Sequence, residues 1–320
     1  MNFGTQFIES LQSGNRRSLA KAITLIESNR DEDQILAQEL LVSLPKPNQE
    51  TIRVGISGVP GVGKSTFIEA LGNHLITLGK KVAVLAVDPS SPTTSGSILG
   101  DKTRMETLAT KNEAFIRPSP TAGNLGGVAR KTRETIHLCE AAGYDVILIE
   151  TVGVGQSEYE VASMVDCFSV LMLPGAGDSL QGIKRGILEI TDILVINKAD
   201  GELKNLAKIA ADEYRSAFHL LKPKYEGIYS DIVISSALQN EGISQYWETI
   251  LEFSSKLKEK NLFESNREKQ LVNWFRRLAE DEWLKQLWEN RYSNELLNQV
   301  VTNKLTPIQA AKKLIKISSL

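Results

Sequence analysis

The stretch Ile52-Arg53-Val54-Gly55-Ile56-Ser57-Gly58-Val59-Pro60-Gly61-Val62-Gly63-Lys64-Ser65-Thr66-Phe67-Ile68-Glu69-Ala70-Leu71 decides the fold. An apolar run, a glycine-rich turn and a helical pattern follow one another without a gap. The turn matches G-x-x-x-x-G-K-[ST], and each residue type in it has a physical task. Gly58, Gly61 and Gly63 allow main-chain N–H groups to approach an anion. The helix opening near Gly63 adds its positive end. Lys64 is a point charge for β- and γ-phosphates, and Ser65 a hydroxyl for Mg²⁺. The candidate phosphate site comprises Gly58, Pro60, Gly61, Val62, Gly63, Lys64, Ser65 and Thr66. The fixed positions occur by chance in roughly one chain in a hundred of this length, and the strand-before, helix-after context makes chance a poor account.

Outward from this loop, Val- and Ile-rich runs recur at Val82–Val87, Val146–Ile149, Phe168–Leu173, Ile193–Ile196 and Ile232–Ile234. They mostly lack polar alternation, as strands buried on both faces of a parallel sheet do. With helix-length segments between them, they predict an α/β, doubly wound, mostly parallel P-loop NTPase sheet. Residues 1–47 form an expected N-terminal helical extension, with Leu19, Ala22, Ile23 and Ile26 at helical spacing and a stop at Pro45-Lys46-Pro47. The P-loop domain is expected over 48–256 and a helical arm over 257–320. In the arm Trp274, Phe275, Leu278, Trp283, Leu287 and Trp288 recur at helical spacing. Such a stripe is buried either on its own domain or on a partner.

The 320 residues carry 37 Lys+Arg against 39 Asp+Glu, a formal net charge of -2. That balance argues against a nucleic-acid binder held by a basic surface. No apolar run approaches the roughly 18 residues of a spanning helix, and the first residues lack a signal-peptide pattern. The expected setting is therefore cytoplasmic, with no membrane partner. Cys139 and Cys167 are too few to staple a chain of this size and read as reduced, buried thiols.

Asn197-Lys198-Ala199-Asp200 follows the run Ile193–Ile196, at a strand's C-terminal end, where open α/β sheets bind ligands. This N-K-x-D pattern resembles the guanine-recognition motif of P-loop GTPases. A carboxylate at Asp200 can accept from both the ring N1–H and the exocyclic N2–H₂ of guanine, whereas adenine offers neither donor. Ser235-Ser236-Ala237 follows the next run and resembles the S-A-K/L motif that braces guanine O6. GTP and GDP, with Mg²⁺, are the expected ligands. Asp145–Gly153 looks like a Walker B strand, in which the usual D-x-x-G reads Glu150-Thr151-Val152-Gly153. Glu150 would act in the Mg²⁺ shell and Gly153 N–H would meet the γ-phosphate. Asp88 and Asp101 are further candidate metal carboxylates, each with a helix cap or a solvated acid as the plain alternative.

Several longer strings carry a family likeness: Val87–Met105, Leu125–Thr132, Glu150-Thr151-Val152-Gly153-Val154-Gly155-Gln156-Ser157-Glu158 and Pro174–Gly186. Together they resemble the MeaB/ArgK family of SIMIBI-class P-loop GTPases, which chaperone adenosylcobalamin-dependent acyl-CoA mutases. An older label for that family is LAO/AO transport ATPase or kinase. The resemblance implies that Lys64 and Ser65 hold phosphate and Mg²⁺, and that Asp88, Asp101 and Glu150 surround the metal. It places Asp101 in a first switch, Gly153–Glu158 in a second, and Asp178–Lys184 in a third that addresses the mutase. Asn197 and Asp200 would read guanine, and the chain would be a homodimer through its C-terminal helices. One departure is Ser95, where glycine is expected.

The implied reaction is GTP hydrolysis to GDP and phosphate. Ras-like enzymes carry a water-orienting Gln directly after the D-x-x-G glycine; here that position is Val154, and Gln156 stands two further on. Slow intrinsic turnover follows as an expectation, with mutase docking completing the site through Asp178, Lys184 or Arg104. Three other classes fit less well. A metal-insertion GTPase lacks clustered soft ligands, since His74, His137 and His219 are scattered. A kinase linked to amino-acid transport shows no acceptor site or base. A nucleotide-sensing module without useful hydrolysis is the third. Arg130, Lys131 and Arg133 form a basic patch on an expected helix, read as a solvated face or a partner site.

Overall fold

A computed structural model describes residues 5–45, 50–87, 105–118, 125–151, 157–175, 185–289 and 291–318. Seven strands form one sheet: β1 Ile52–Gly58, β2 Val82–Val87, β3 Ala114–Arg117, β4 Val146–Thr151, β5 Cys167–Met172, β6 Ile193–Ile196 and β7 Asp231–Ile234. Their spatial order is β3-β2-β4-β1-β5-β6-β7, and every pairing is parallel. Six of these were expected from their apolar runs. β3 was missed because Ala114-Phe115-Ile116-Arg117 holds one β-branched residue and ends on a charge before Pro118, whereas the equally short edge strand β7 holds three.

Parallel strands need crossovers, and the helices supply them on both faces. On one face α4 (Lys64–Thr77), α5 (Glu106–Ala109) and α10 (Ile243–Glu259) share a core with Val54, Ile56, Val84, Leu148 and Val195. Trp247 lies in that core, with Tyr246 and Ile250. On the other face lie α6 (Leu125–Ala141), α7 (Ser157–Ala162), α8 (Arg185–Ile190) and α9 (Leu203–Leu220), over Leu85, Ile147, Ile149, Phe168 and Leu194. Successive strand residues thus alternate between two apolar layers, which is why the runs show no polar alternation. Cys139 and Cys167 are both free and buried, one in each layer.

The N-terminal helices α1 (Thr5–Gln12), α2 (Arg16–Glu27) and α3 (Asp31–Ser43) belong to the second layer. The Asn15 side chain caps α2, accepting from Arg17 N–H at 3.0 Å and Ser18 N–H at 3.1 Å. Leu19, Ala22, Ile23 and Ile26 are buried, the stripe that the spacing predicted. The basic patch of α6 is neither a bare solvated face nor a free partner site. Lys131 Nζ donates to Glu27 O at 2.7 Å, Arg130 pairs with Glu134, and Arg133 donates to Ser163 O and Oγ. Lys131 thus fastens α6 to the end of α2 and Arg133 fastens it to the end of α7, whereas Arg130 pairs within α6.

The chain divides into two compact units, Met1–Phe263 and Glu264–Leu320. The second unit holds nearly all of α11 (Leu262–Glu289), with α12 (Arg291–Val301) and α13 (Pro307–Ser318). Leu287, Leu296 and Ala310 are buried, whereas Phe275, Trp283, Trp288, Val301 and Ile308 are exposed on the single chain. No helix among the described residues is long and apolar enough to cross a membrane.

Candidate functional site

The chain leaves β1 toward β2 on one side, and β5 to β7 add on the other. The crevice at the C-terminal end of β1 is therefore the topological switch point of the sheet. The glycine-rich turn occupies that position, between β1 and α4. Gly63 caps α4 with φ +92°, and a Cβ there would lie 3.0 Å from Asn197 Nδ2. Glycine is needed for the angle and for the close approach together. Lys64 is buried and its Nζ donates to Gly58 O at 2.7 Å, so the ammonium is held within the loop. Pro60, Gly61 and Thr66 are exposed around the loop, and Val62 is buried beneath it.

Beside the loop, Ser65 Oγ donates to Glu150 Oε1 at 3.1 Å. Glu150 ends the β1–β4 ladder opposite Ile56 and is buried. A serine hydroxyl and a carboxylate meet there as hard oxygen donors, at the helix start where phosphates would sit. That donor set suits Mg²⁺, which binds proteins through one or two carboxylates and keeps waters and phosphates as its other ligands. Asp88, Asp101, Gly153, Gln156 and Lys184 lie outside the described residues.

The N-K-x-D turn meets both neighbouring loops. Asn197, buried at the end of β6, donates from Nδ2 to Val62 O at 2.9 Å. Its Oδ1 accepts from Ala237 N–H at 3.2 Å. One side chain therefore ties the phosphate loop to the Ser235-Ser236-Ala237 turn. Lys198 has a left-handed φ of 60°, is exposed, and extends over Gly63. Ser236 Oγ donates to Asp200 Oδ2 at 2.6 Å and so orients a partly exposed carboxylate. Ser235 Oγ donates instead to Glu241 O at 3.1 Å, bracing its own turn, which Ser236 N–H to Glu241 O at 3.0 Å also closes.

Two features near the site were not read from the sequence. Ser57 and Thr151 are fully buried and joined, Thr151 Oγ1 donating to Ser57 Oγ at 2.9 Å. Glu69 on α4 accepts from Thr107 N–H and Oγ1, each at 2.8 Å, and so caps α5. No motif marks either pair, because the partners come from segments joined only by the fold.

A glycine-rich anion loop on the central strand, held by an Asn that also braces a guanine-type base turn, defines the class as a P-loop GTPase. The chain belongs to the MeaB family: the family model described as "Methylmalonyl Co-A mutase-associated GTPase MeaB" matches residues 19–292. It is 50% identical over 275 residues to the GTPase ArgK of Escherichia coli, covering 86% of this chain and 83% of that protein. It is 44% identical over 328 residues to the mitochondrial methylmalonic aciduria type A homolog of Mus musculus, covering 98% of this chain and 79% of that protein. Among solved structures, one described as LAO/AO transport system kinase superposes with a TM-score of 0.80 at 40% identity, covering 98% of this chain and 97% of that one.

Proposed function

We propose that this GTPase acts as a cytoplasmic chaperone for an adenosylcobalamin-dependent acyl-CoA mutase, coupling GTP binding and hydrolysis to loading or protection of the mutase cofactor. The observation that carries the reading is the family match over residues 19–292, whose description names association with methylmalonyl-CoA mutase. In this reading Asp200 accepts from N1–H and N2–H₂ of guanine, with Ser236 orienting it and Ala237 N–H near the base. Lys64 and the N–H groups of Gly61, Val62 and Gly63 compensate the phosphate charge. Ser65 and Glu150, with Asp88 and Asp101, would hold Mg²⁺, and the ion when bound would neutralise charge on the β- and γ-phosphate oxygens. Catalysis by the protein is then positioning: Lys64, Asp101, Glu150, Gln156 and Lys184 surround the transferred group, and water attacks in line.

We further propose that the chain works as a homodimer through its second unit. The exposed Phe275, Trp283, Trp288, Val301 and Ile308 support this, since large apolar side chains in that density mark contact surfaces.

The test is a pull-down from native lysate with the chain loaded with GDP or with a non-hydrolysable GTP analogue. Recovery of a cobalamin-dependent mutase in one nucleotide state and not the other is expected. Equal recovery in both states, or none in either, refutes nucleotide-coupled chaperoning.

A further inference from the structure

The β1–β4 backbone register runs from Ile52↔Val146 to Ile56↔Glu150 and stops there. Thr151, the last residue of β4, remains paired to Val87 of β2 on its far side. Toward β1 its described link is through side chains, Thr151 Oγ1 donating to Ser57 Oγ at 2.9 Å. Both residues have 0% exposure. Two hydroxyls have therefore been taken fully out of water one step beyond the end of the ladder. Such a pair is worth little to stability compared with apolar side chains of the same shape, because desolvation offsets most of the hydrogen bond. It does fix direction, since the hydroxyls must face each other to be satisfied.

The position of the pair says what it directs. Side chains alternate between faces along a strand. Ile56 and Leu148 point to the α4 layer, and Glu150 does too, meeting Ser65 at the start of α4. Ser57 and Thr151, one residue on, point to the opposite layer. The end of β4 is therefore gripped on both faces of the sheet, by Ser65–Glu150 above and Ser57–Thr151 below. Each grip runs to the phosphate loop, because Ser57 directly precedes Gly58 and Ser65 ends the motif. A strand end held on one face only can roll about its axis, and a roll would swing the Glu150 carboxylate away from Ser65.

We infer that the Ser57–Thr151 hydroxyl pair is a positioning element for GTP hydrolysis, fixing the roll of β4 so that Glu150 faces Ser65 and the phosphate loop. It acts through Glu150 and touches neither nucleotide nor metal. The inference rests on the proposed roles of Glu150 and the glycine-rich loop, and it adds Ser57 and Thr151 to them.

The experiment measures single-turnover GTP hydrolysis at saturating GTP and Mg²⁺, together with GDP affinity, on the full chain. The variants are Thr151→Val, Ser57→Ala, the double variant and Thr151→Ser. Thr151→Val keeps shape and removes the donor. Each single loss is expected to slow hydrolysis about tenfold. The double variant should be no slower than the slower single, because one interaction is removed once. Thr151→Ser, which restores the hydroxyl, should recover the rate to within about twofold, with GDP affinity unchanged to about threefold throughout. Should Thr151→Val fail to fold, Ser57→Ala and Thr151→Ser carry the comparison. Rates within about twofold of the parent in both singles overturn the inference. So do multiplicative losses in the double variant, parallel loss of GDP affinity, or a Thr151→Ser variant as slow as Thr151→Val. Lys64→Ala is run alongside and is expected to lose hydrolysis. If it hydrolyses GTP at the parental rate, the proposed site is wrong, a failure distinct from that of the hydroxyl pair.

Discussion

Replacing Asn197 with Ala removes a side chain that no nucleotide needs to touch for the site to suffer. Asn197 is 1% exposed, and its amide satisfies Val62 O at 2.9 Å and Ala237 N–H at 3.2 Å. Val62 and Ala237 are themselves buried, so truncation strands one carbonyl and one N–H away from bulk water. A buried polar group left unpaired costs about 1–3 kcal/mol. Two of them, partly relieved by a water entering the vacated space, come to about 3 kcal/mol. For a unit of this size that lowers the melting temperature by roughly 6–12 °C. The loss should also appear in binding, since Val62 lies in the phosphate loop and Ala237 in the base turn. GTP affinity is expected to fall by about tenfold or more as the two loops lose their common brace. Asn197→Asp separates the two bonds. A carboxylate can still accept from Ala237 N–H, but it sets a charged oxygen against the Val62 carbonyl inside a buried pocket. It should therefore be at least as destabilising as Ala. Calorimetric melting and GTP titration of the three proteins make the measurement. A melting temperature within about 2 °C of the parent and GTP affinity within about threefold, in Asn197→Ala, would refute the bracing argument.

Asp200→Asn exchanges an acceptor for a donor opposite guanine N2–H₂ and should weaken GTP by about a hundredfold or more, while admitting xanthosine triphosphate, whose 2-oxo group accepts; unchanged selectivity between the two nucleotides in competition binding counts against Asp200 as the base reader. Gly55→Ala puts a Cβ 2.8 Å from both Phe168 Cδ2 and Val161 Cγ1. The overpacking should cost about 1–3 kcal/mol and lower the melting temperature, and an unaltered melt shows instead that α7 is free to lift off β1. Burial pushes the Cys139 thiol up, with the Glu140 charge adding to it, and likewise Cys167, with Asp192 adding. Thiolate is thereby suppressed through the neutral and mildly alkaline range, so neither cysteine should alkylate in native protein, and labelling at the rate of a free thiol contradicts that burial.

What could be read from the sequence was whatever local chemistry forces. A backbone that must cradle an anion needs glycine at set positions, so the loop from Gly58 to Ser65 is visible in one glance at the chain. Strands buried on both faces must be apolar throughout, so six of seven announced themselves. β3 escaped because Ala114-Phe115-Ile116-Arg117 holds a single β-branched residue and ends on a charge. Pairings between distant segments were out of reach. Lys131 looked like part of a basic surface, yet it finds the Glu27 carbonyl 104 residues earlier. Ser57 and Thr151 stand 94 residues apart, and neither residue type at its own position signals the other. The exposed aromatics of the second unit lie between these cases, since their helical spacing was plain but their burial partner was not.

The strand order explains why Glu150 meets the phosphate loop through Ser65. A chain that paired β1 with β2 would set the residue after Val87 beside Ser65. Here β4 is inserted between β1 and β2, so the neighbour of β1 at its C-terminal end is Glu150, one rung from Ser57 in the same ladder. Its position along the sheet is set by the pairing of β4 to β1 and to β2, and the Ser57–Thr151 pair sets the roll of the strand end that aims its carboxylate.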